Sequence, residues 1–243
     1  MKKILFVCLI GLFIGCSSGN DPQKIVDETL AVSGSNKLDN SKVEFVFRDK
    51  EYGFKRSPNG LYEMVRLFKD STGLVRDVVT NHSFHREING KEVSVADSMA
   101  FKYTNSINSV IYFALLPYGL NDAAVIKSYM NDENIKDKIY HKIKVTFKQE
   151  GGGVDYEDEF IYWINKETKF VDYLAYSYHT DEGGLRFREV INPRMINGLR
   201  VVDYINYKPK IQVDLEETGK AFQAGQLEEL SRIKLENFVV EFN

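Results

Sequence analysis

The sequence predicts a mainly β fold of the α+β kind: a strongly curved antiparallel sheet, or half-open β-barrel, with helices covering its concave side. Three observations carry this. Apolar residues alternate with polar ones along most of the chain, the connections between such runs are short and rich in Gly and Asn, and aromatic residues fill 13% of the 243 positions. Period-two alternation is the mark of strands. Short connections make neighbours antiparallel rather than joined by crossovers, and rings favour strands and pockets over helical bundles.

Taken in order, the first element is helical. Ile25, Val26, Leu30 and Ala31 recur at helical spacing within residues 22–32, Asp21 stands before Pro22 as an N-cap, and Ser33-Gly34-Ser35 stops the run. From Val43 the period changes, with Val43, Phe45 and Phe47 on one face and Glu44, Val46 and Arg48 on the other. Similar runs cover 61–68, 74–79 and 84–88, punctuated by Asn59-Gly60, Ser71-Thr72-Gly73 and Asn89-Gly90, which are hairpin signals. Residues 97–116 break the pattern. Met99, Tyr103, Ile107, Val110, Ile111, Phe113 and Ala114 predict one or two helices there, closed by Pro117 and Gly119. Asn121 is placed to cap a further short helix over 122–129.

Strands resume over 139–149, 160–164, 170–178, 185–191 and 199–207, with turns at Gly151-Gly152-Gly153, Asn165-Lys166-Glu167-Thr168, Glu182-Gly183-Gly184 and Asn197-Gly198. Residues 226–242 read both ways: Leu227, Leu230 and Ile233 suit a helix, whereas 235–242 suit a last strand. Some strands are apolar on both faces, Ile161, Trp163 and Val171 opposing Phe160, Tyr162 and Leu174. A sheet with one wet face does not look like this. Either helices cover it, or it closes around an interior while an outer layer packs as well, and a half-open barrel plugged by helices meets both conditions.

The N-terminus carries a different signal. Met1-Lys2-Lys3 is a positive n-region, and residues 4–15 are apolar and uncharged, too short to span a bilayer but suited to a signal-peptide core. Leu12-Phe13-Ile14-Gly15-Cys16, followed by Ser17-Ser18-Gly19-Asn20-Asp21, resembles a bacterial lipobox, in which a small residue precedes a cysteine that is diacylated and becomes the new N-terminus. Phe13 stands where Leu is usual. The other reading is a plain secretory signal with an incidental cysteine. The expected organisation is therefore a signal peptide over 1–15, a lipidated Cys16 and tether over 16–22, and a single β-rich domain over 23–243. Membrane association would come from lipid rather than from a spanning helix, in an outer-membrane lipoprotein facing the periplasm or the cell surface. Cys8 and Cys16 are the only cysteines, so the mature domain has no thiol for a disulfide, a zinc site or a nucleophile.

Charge and motifs narrow the function. Lys+Arg 32 against Asp+Glu 35 gives a net charge of −3, without the basic excess of a nucleic-acid binder. No Gly-x-Ser-x-Gly elbow, phosphate-binding loop or dinucleotide fingerprint occurs. His82, His85, His141 and His179 form no helical His-x-x-x-His pair, so neither a metal nor a cofactor is expected. Asp155-Tyr156-Glu157-Asp158-Glu159 lacks the spacing of a calcium loop and reads as a solvated acidic hairpin turn.

The remaining residues suit a binding cavity. His141 shares the apolar face of Ile139, Ile143, Val145 and Phe147, as a hydrogen-bonded core group or as the polar handle of a pocket. Arg186 and Arg188 alternate with Leu185 and Phe187, with Asp172 and Asp203 on neighbouring strands. That pattern makes either a cross-strand charge ladder facing solvent or a charged pair inside a cavity. Tyr173, Tyr176, Tyr178, Tyr204 and Tyr207 pack the core or line a cleft. Phe113, Tyr118, His141, Trp163, Tyr176 and Arg188 are the candidate ligand contacts, with 115–119 as a hinge or lid.

A lipobox, a following helix at Gln23-Lys24-Ile25-Val26-Asp27, and a meander containing Tyr162-Trp163-Ile164-Asn165-Lys166-Glu167-Thr168 together resemble the LolA/LolB-like lipoprotein-carrier superfamily. In that superfamily a strand ending in Trp-Ile-Asn/Asp-x-x-Thr leads through a turn to the next. Leu115-Leu116-Pro117-Tyr118-Gly119-Leu120-Asn121-Asp122 and Gly151-Gly152-Gly153-Val154-Asp155-Tyr156-Glu157-Asp158 are similar to segments of a Bacteroidota lipoprotein family that brings no established activity. The carrier resemblance implies a non-catalytic protein holding a lipid or lipoprotein acyl chain between a concave sheet and its helices. Two alternatives stand beside it: a partner-binding structural lipoprotein with a solid interior, and a hydrolase or lyase using His141 with a nearby carboxylate.

Overall fold

Helix α1 (Pro22–Ser33) begins where Asp21 accepts a hydrogen bond from the Gln23 N–H at 2.9 Å, and it ends at Gly34 with φ 71°. A Cβ at Gly34 would overlap the Gly198 carbonyl oxygen, so both conformation and space require glycine there. These elements come from a computed structural model that describes residues 20–57, 59–153, 155–179 and 183–242. The signal peptide expected over 1–15 and the expected lipidation site Cys16 lie outside the described residues.

Two seven-stranded antiparallel sheets follow. The first holds β1 (Ser41–Phe47), β2 (Lys50–Arg56), β3 (Tyr62–Asp70), β4 (Gly73–Thr80), β5 (Phe84–Ile88) and β6 (Lys91–Val93), with β14 (Glu236–Phe242) beside β1. Helix α2 (Asp97–Leu115) leads to the second sheet. That sheet runs β7 (Val125–Ile135), β8 (Lys138–Phe147), β9 (Glu159–Asn165), β10 (Val171–Tyr178), β11 (Gly184–Ile196), β12 (Leu199–Pro209) and β13 (Leu227–Ile233). A short helix, α3 (Thr218–Gln223), lies between β12 and β13. The fold is mainly antiparallel β, two curved sheets forming a half-open barrel with α1 and α2 on the concave side. No described helix is long and apolar enough to cross a membrane.

The chain passes between the sheets twice, through α2 and again where β13 gives way to β14. β13 belongs to the second sheet and β14 to the first, so the strand is shared and divides at Lys234-Leu235. Asp203, only 6% exposed, clamps this point: its Oδ1 accepts from the Leu235 N–H at 3.0 Å and from Arg194 at 3.2 Å, while Arg194 donates to the Leu235 carbonyl at 2.6 Å. Asn192 bonds the other carboxylate oxygen at 3.2 Å.

Helix α2 divides its side chains between the sheets. Ile107, Ile111 and Leu115, spaced four apart, pack into the first-sheet core with Phe45, Phe54, Met64 and Val240. Tyr112 and Phe113 turn to the second sheet, among Phe160, Tyr162 and Tyr176. Its N-terminal half is held by a buried cluster in which Asp77, fully enclosed, accepts from Arg66 and Arg86. Arg66 also reaches Ser106, and Arg86 stacks on Tyr103.

The second sheet is covered on both faces, which accounts for its doubly apolar strands. Phe160, Tyr162, Ile164 and Leu174 face α1 and α2, whereas Ile161, Trp163, Tyr173, Ala175 and Phe187 face α3. Val171 lies with Phe160 rather than opposite it, because the β9–β10 register shifts between Val171 and Tyr173. On the α3 side Trp163 donates to Glu133 at 3.1 Å, and Lys142 pairs with Glu133 at 2.9 Å and bonds the Glu216 carbonyl.

Among the described residues fourteen strands replace the ten or so of the sequence reading, for definite reasons. The helix expected over 122–129 is instead a series of turns followed by β7. Asn121 caps nothing there; it donates to Asp27 at 2.7 Å and accepts from Gln23 and Lys127, tying this turn to α1. Residues 226–242 are both extended, as β13 and β14.

Removing the Asp203 carboxylate leaves the Leu235 N–H and the Arg194 guanidinium without their acceptor. Asp203→Ala is expected to lower unfolding stability by about 3 kcal/mol, within the range for breaking a buried charged interaction. Urea denaturation measures this, and an unchanged midpoint would contradict the clamp.

Candidate ligand-binding groove

Phe113 projects from α2 between two hollows on the second sheet's concave face. The smaller, about 190 Å³, is lined by Val110, Phe113 and Ala114 of α2, by Arg188, Tyr204 and Asn206 of β11 and β12, by Ser231, Ile233 and Leu235 of the shared strand, and by Phe47 and Arg48 of the first sheet. The larger, about 350 Å³, is lined by Tyr112, Phe113, Phe147, Phe160, Tyr176 and Tyr178, with Asp155, Asp158 and Arg186 at its polar side. Its volume falls in the usual range of small-molecule pockets, about 300–1,000 Å³. Both hollows are lined in part by Ser109 and Phe113, so they lie side by side along the helix with the Phe113 ring between them.

Strand parity builds this lining. On β11, Leu185 and Phe187 face α3, so Arg186 and Arg188 face α2. Arg188 pairs in register with Asn206 of β12, and Tyr176 pairs with Arg186. Tyr112 and Tyr162 meet hydroxyl to hydroxyl at 3.0 Å beneath the helix; burial pushes the Tyr112 hydroxyl up to about 12. A hollow of about 520 Å³ on the outer face of the first sheet is of another kind, open and edged by Lys42, Glu44, Glu51, Lys55, Glu63 and Arg76.

Arg188 is 7% exposed. Its guanidinium lies 3.7 Å from the Phe113 ring centre and 5.2 Å from that of Tyr176, and it donates to the Tyr176 hydroxyl at 3.0 Å. Such cation–ring contacts are worth about 0.5–2 kcal/mol, but they give the N–H groups no acceptor. Neither carboxylate expected beside Arg188 reaches it, since Asp203 pairs with Arg194 and Asp172 with Arg200. The charge ladder predicted around Arg186 and Arg188 therefore does not form; the carboxylates sit lower on the sheet, where β11 and β12 approach β14 and β10.

The structure brings Phe113, Tyr176 and Arg188 to the groove and places the other sequence candidates elsewhere. Tyr118 packs on Phe54 and donates to Asp39 at 2.8 Å, on the first-sheet side. His141 lines neither hollow. It sits against Tyr129 and Asp132, 3.1 Å from that carboxylate, and burial lowers its pKa against the opposing pull of Asp132. Trp163 is fully buried on the opposite face, under α3, where Gly219 leaves room for it and for Glu133. Tyr204 and Asn206 complete the lining on β12, and Asn206 was missed although it shares parity with Tyr204. Among the described residues no group of three His, Cys, Asp or Glu side chains gathers to hold a metal.

Asp158, at the larger hollow, is pushed up to about 6, first by burial and then by Asp155, with His179 at 3.7 Å drawing it down. An unfolded aspartate titrates near about 3.9. The folded chain thus holds this proton more tightly, and the stability it lends is fully present below about pH 4 and lost as pH rises through about 6. Stability should therefore fall over that interval, and fall less in Asp158→Asn. Urea midpoints across the range test this, and identical slopes in both proteins would contradict it.

Several solved structures are similar to this chain, three of them as follows. One is a LolA superfamily protein from Nitrosomonas europaea, 10% identical, covering 90% of this chain and 92% of that one with a TM-score of 0.49. Another is a DUF1329 family protein from Desulfovibrio piger, 14% identical, covering 90% and 93%, with a TM-score of 0.45. The lipoprotein LppX of Mycobacterium tuberculosis is 12% identical over 66% of this chain and 91% of that one, with a TM-score of 0.30. No curated protein sequence matches the chain. The model of a family of unknown function, DUF6503, matches residues 2–219, and the chain belongs to that family.

Proposed function

We propose that the chain is a lipid-anchored protein of the cell envelope that holds a hydrophobic or amphiphilic ligand, such as a lipid or lipoprotein acyl chain, in the groove under α2, without catalysis. The observation that supports this most is the pair of hollows meeting at Phe113, where a helix rests on the sheet through rings and leaves space beside them. Burying acyl chain contributes roughly 0.8 kcal/mol per CH₂, so a few methylenes along this lining are enough for retention. Lipidation at Cys16 would hold the groove near a bilayer, the source of such chains. His141 supports no hydrolytic role, because its partner Asp132 is shared with Lys166 and neither hollow reaches it.

Photo-cross-linking with a diazirine derivative of hexadecanol tests the reading on the full chain in phosphatidylcholine vesicles. Label is expected on peptides carrying Phe113 and Tyr176, and Phe113→Glu should reduce it by about tenfold or more, the loss of two methylenes' worth of burial being already that large. Label scattered over the surface, or unchanged in a folded Phe113→Glu variant, would overturn it.

A further inference from the structure

The smaller hollow contains two cations and no carboxylate. Arg48 stands at its edge and Arg188 in its wall, and no Asp or Glu contributes to the lining. An arginine offers five N–H donors. Of those on Arg188, one reaches the Tyr176 hydroxyl, and Nε is buried with no hydrogen-bond partner among the described residues. Across the strand pair, Asn206 Oδ1 is also buried and unpartnered. A buried guanidinium ordinarily faces a carboxylate or phosphate, whose planar or tetrahedral oxygens match its fork. Here the nearby carboxylates are committed to Arg194 and Arg200. The Arg188 side chain lines a hollow walled on its other sides by Val110, Ala114 and Ile233.

We infer that Arg188 receives the anionic head group, carboxylate or phosphate, of the amphiphile whose chain occupies the groove, an inference that rests on the groove binding a chain at all. The head sits in the smaller hollow, with Arg48 adding positive potential at the entrance and Asn206 Oδ1 accepting from any hydroxyl the head carries. The chain passes Phe113 into the larger hollow, along Phe160 and Tyr176. Before the ligand arrives, the rings of Phe113, Tyr176 and Tyr204 hold the guanidinium in place.

Competition against the hexadecanol photolabel in the same vesicles tests this at alkaline pH, where fatty carboxylates are ionised. Palmitate, hexadecyl phosphate and unlabelled hexadecanol are compared by the bilayer mole fraction that halves labelling of the groove. The two anions should compete at about tenfold lower mole fraction than the alcohol, the gain of one charge-assisted hydrogen-bonded contact. In Arg188→Met all three should coincide at the alcohol's value. A stronger effect of palmitate assigns a free fatty acid, and a stronger effect of hexadecyl phosphate assigns a phospholipid-type head. Should Arg188→Met not fold, the wild-type comparison decides alone. Equal competition by all three in the wild type, or an anion advantage that survives in folded Arg188→Met, overturns the head-group assignment and leaves the groove standing. Absence of groove labelling in the wild type overturns both.

Discussion

The carboxylate of Asp203 fixes the place where one strand passes from one sheet to the other. By holding the Leu235 N–H, and by orienting Arg194 onto the Leu235 carbonyl, it sets the angle at which β13 ends and β14 begins. Backbone groups at such a break have lost their ladder partners and need others when buried. This is one of the two places where the chain passes from sheet to sheet, and α2, which makes the other passage, packs against both. Ser231 and Ile233, before the break, and Leu235, at it, are also wall residues of the smaller hollow, so the clamp adjoins that hollow.

Helix α2 is asymmetric in how it is held. Its aliphatic stripe of Ile107, Ile111 and Leu115 is buried in the first-sheet core, where close packing leaves little freedom. Its other side meets the second sheet through Tyr112 and Phe113, large flat rings that leave gaps beside them. The first-sheet side anchors the helix, and the second-sheet side leaves room for a guest. Placing an arginine in that space without a carboxylate is costly for folding alone, and a head group that arrives with the ligand resolves it. The other buried charges are matched within the chain: Asp77 with Arg66 and Arg86, and Glu133 with Lys142. Among these clusters of described residues Arg188 is the exception, and it lines a hollow.

Much of this was legible from residue order. Asp21-Pro22 and Gly34 bounded α1, the apolar spacing of 97–116 marked α2, and Asn-Gly or Gly-rich turns marked the hairpins around β3, β4 and β5 and around β11 and β12. Two hairpins were hidden because their turns lack those residues. Arg48-Asp49 and Lys136-Asp137 take left-handed conformations, with φ of 50° and 59° and of 47° and 64°, which neither pair advertises. With its turn unseen, β7 had no visible partner, and Ala123-Ala124-Val125-Ile126 passed for a helix. At the site, alternation correctly separated Tyr162 from Trp163 and Leu185 from Arg186. It could not say which face of a doubly covered sheet receives α2, because that depends on packing between distant elements. Trp163 was therefore grouped with Phe113 although it lies under α3; His141 is on the same face as Ile143 and Tyr162 but sits further along it, beside Tyr129 and Asp132. Arg188 was recognised, but its solitude was not, since Asp203 and Asp172 are near in strand order and committed to other partners in space.

The most direct measurement is native mass spectrometry of the full chain extracted from membranes in a neutral detergent, followed by organic extraction of whatever it carries. The account predicts a species heavier than the lipidated chain itself, and an extract containing an acidic amphiphile in equimolar amount. A mass equal to the lipidated chain alone, unchanged after incubation with membrane lipids, would contradict it.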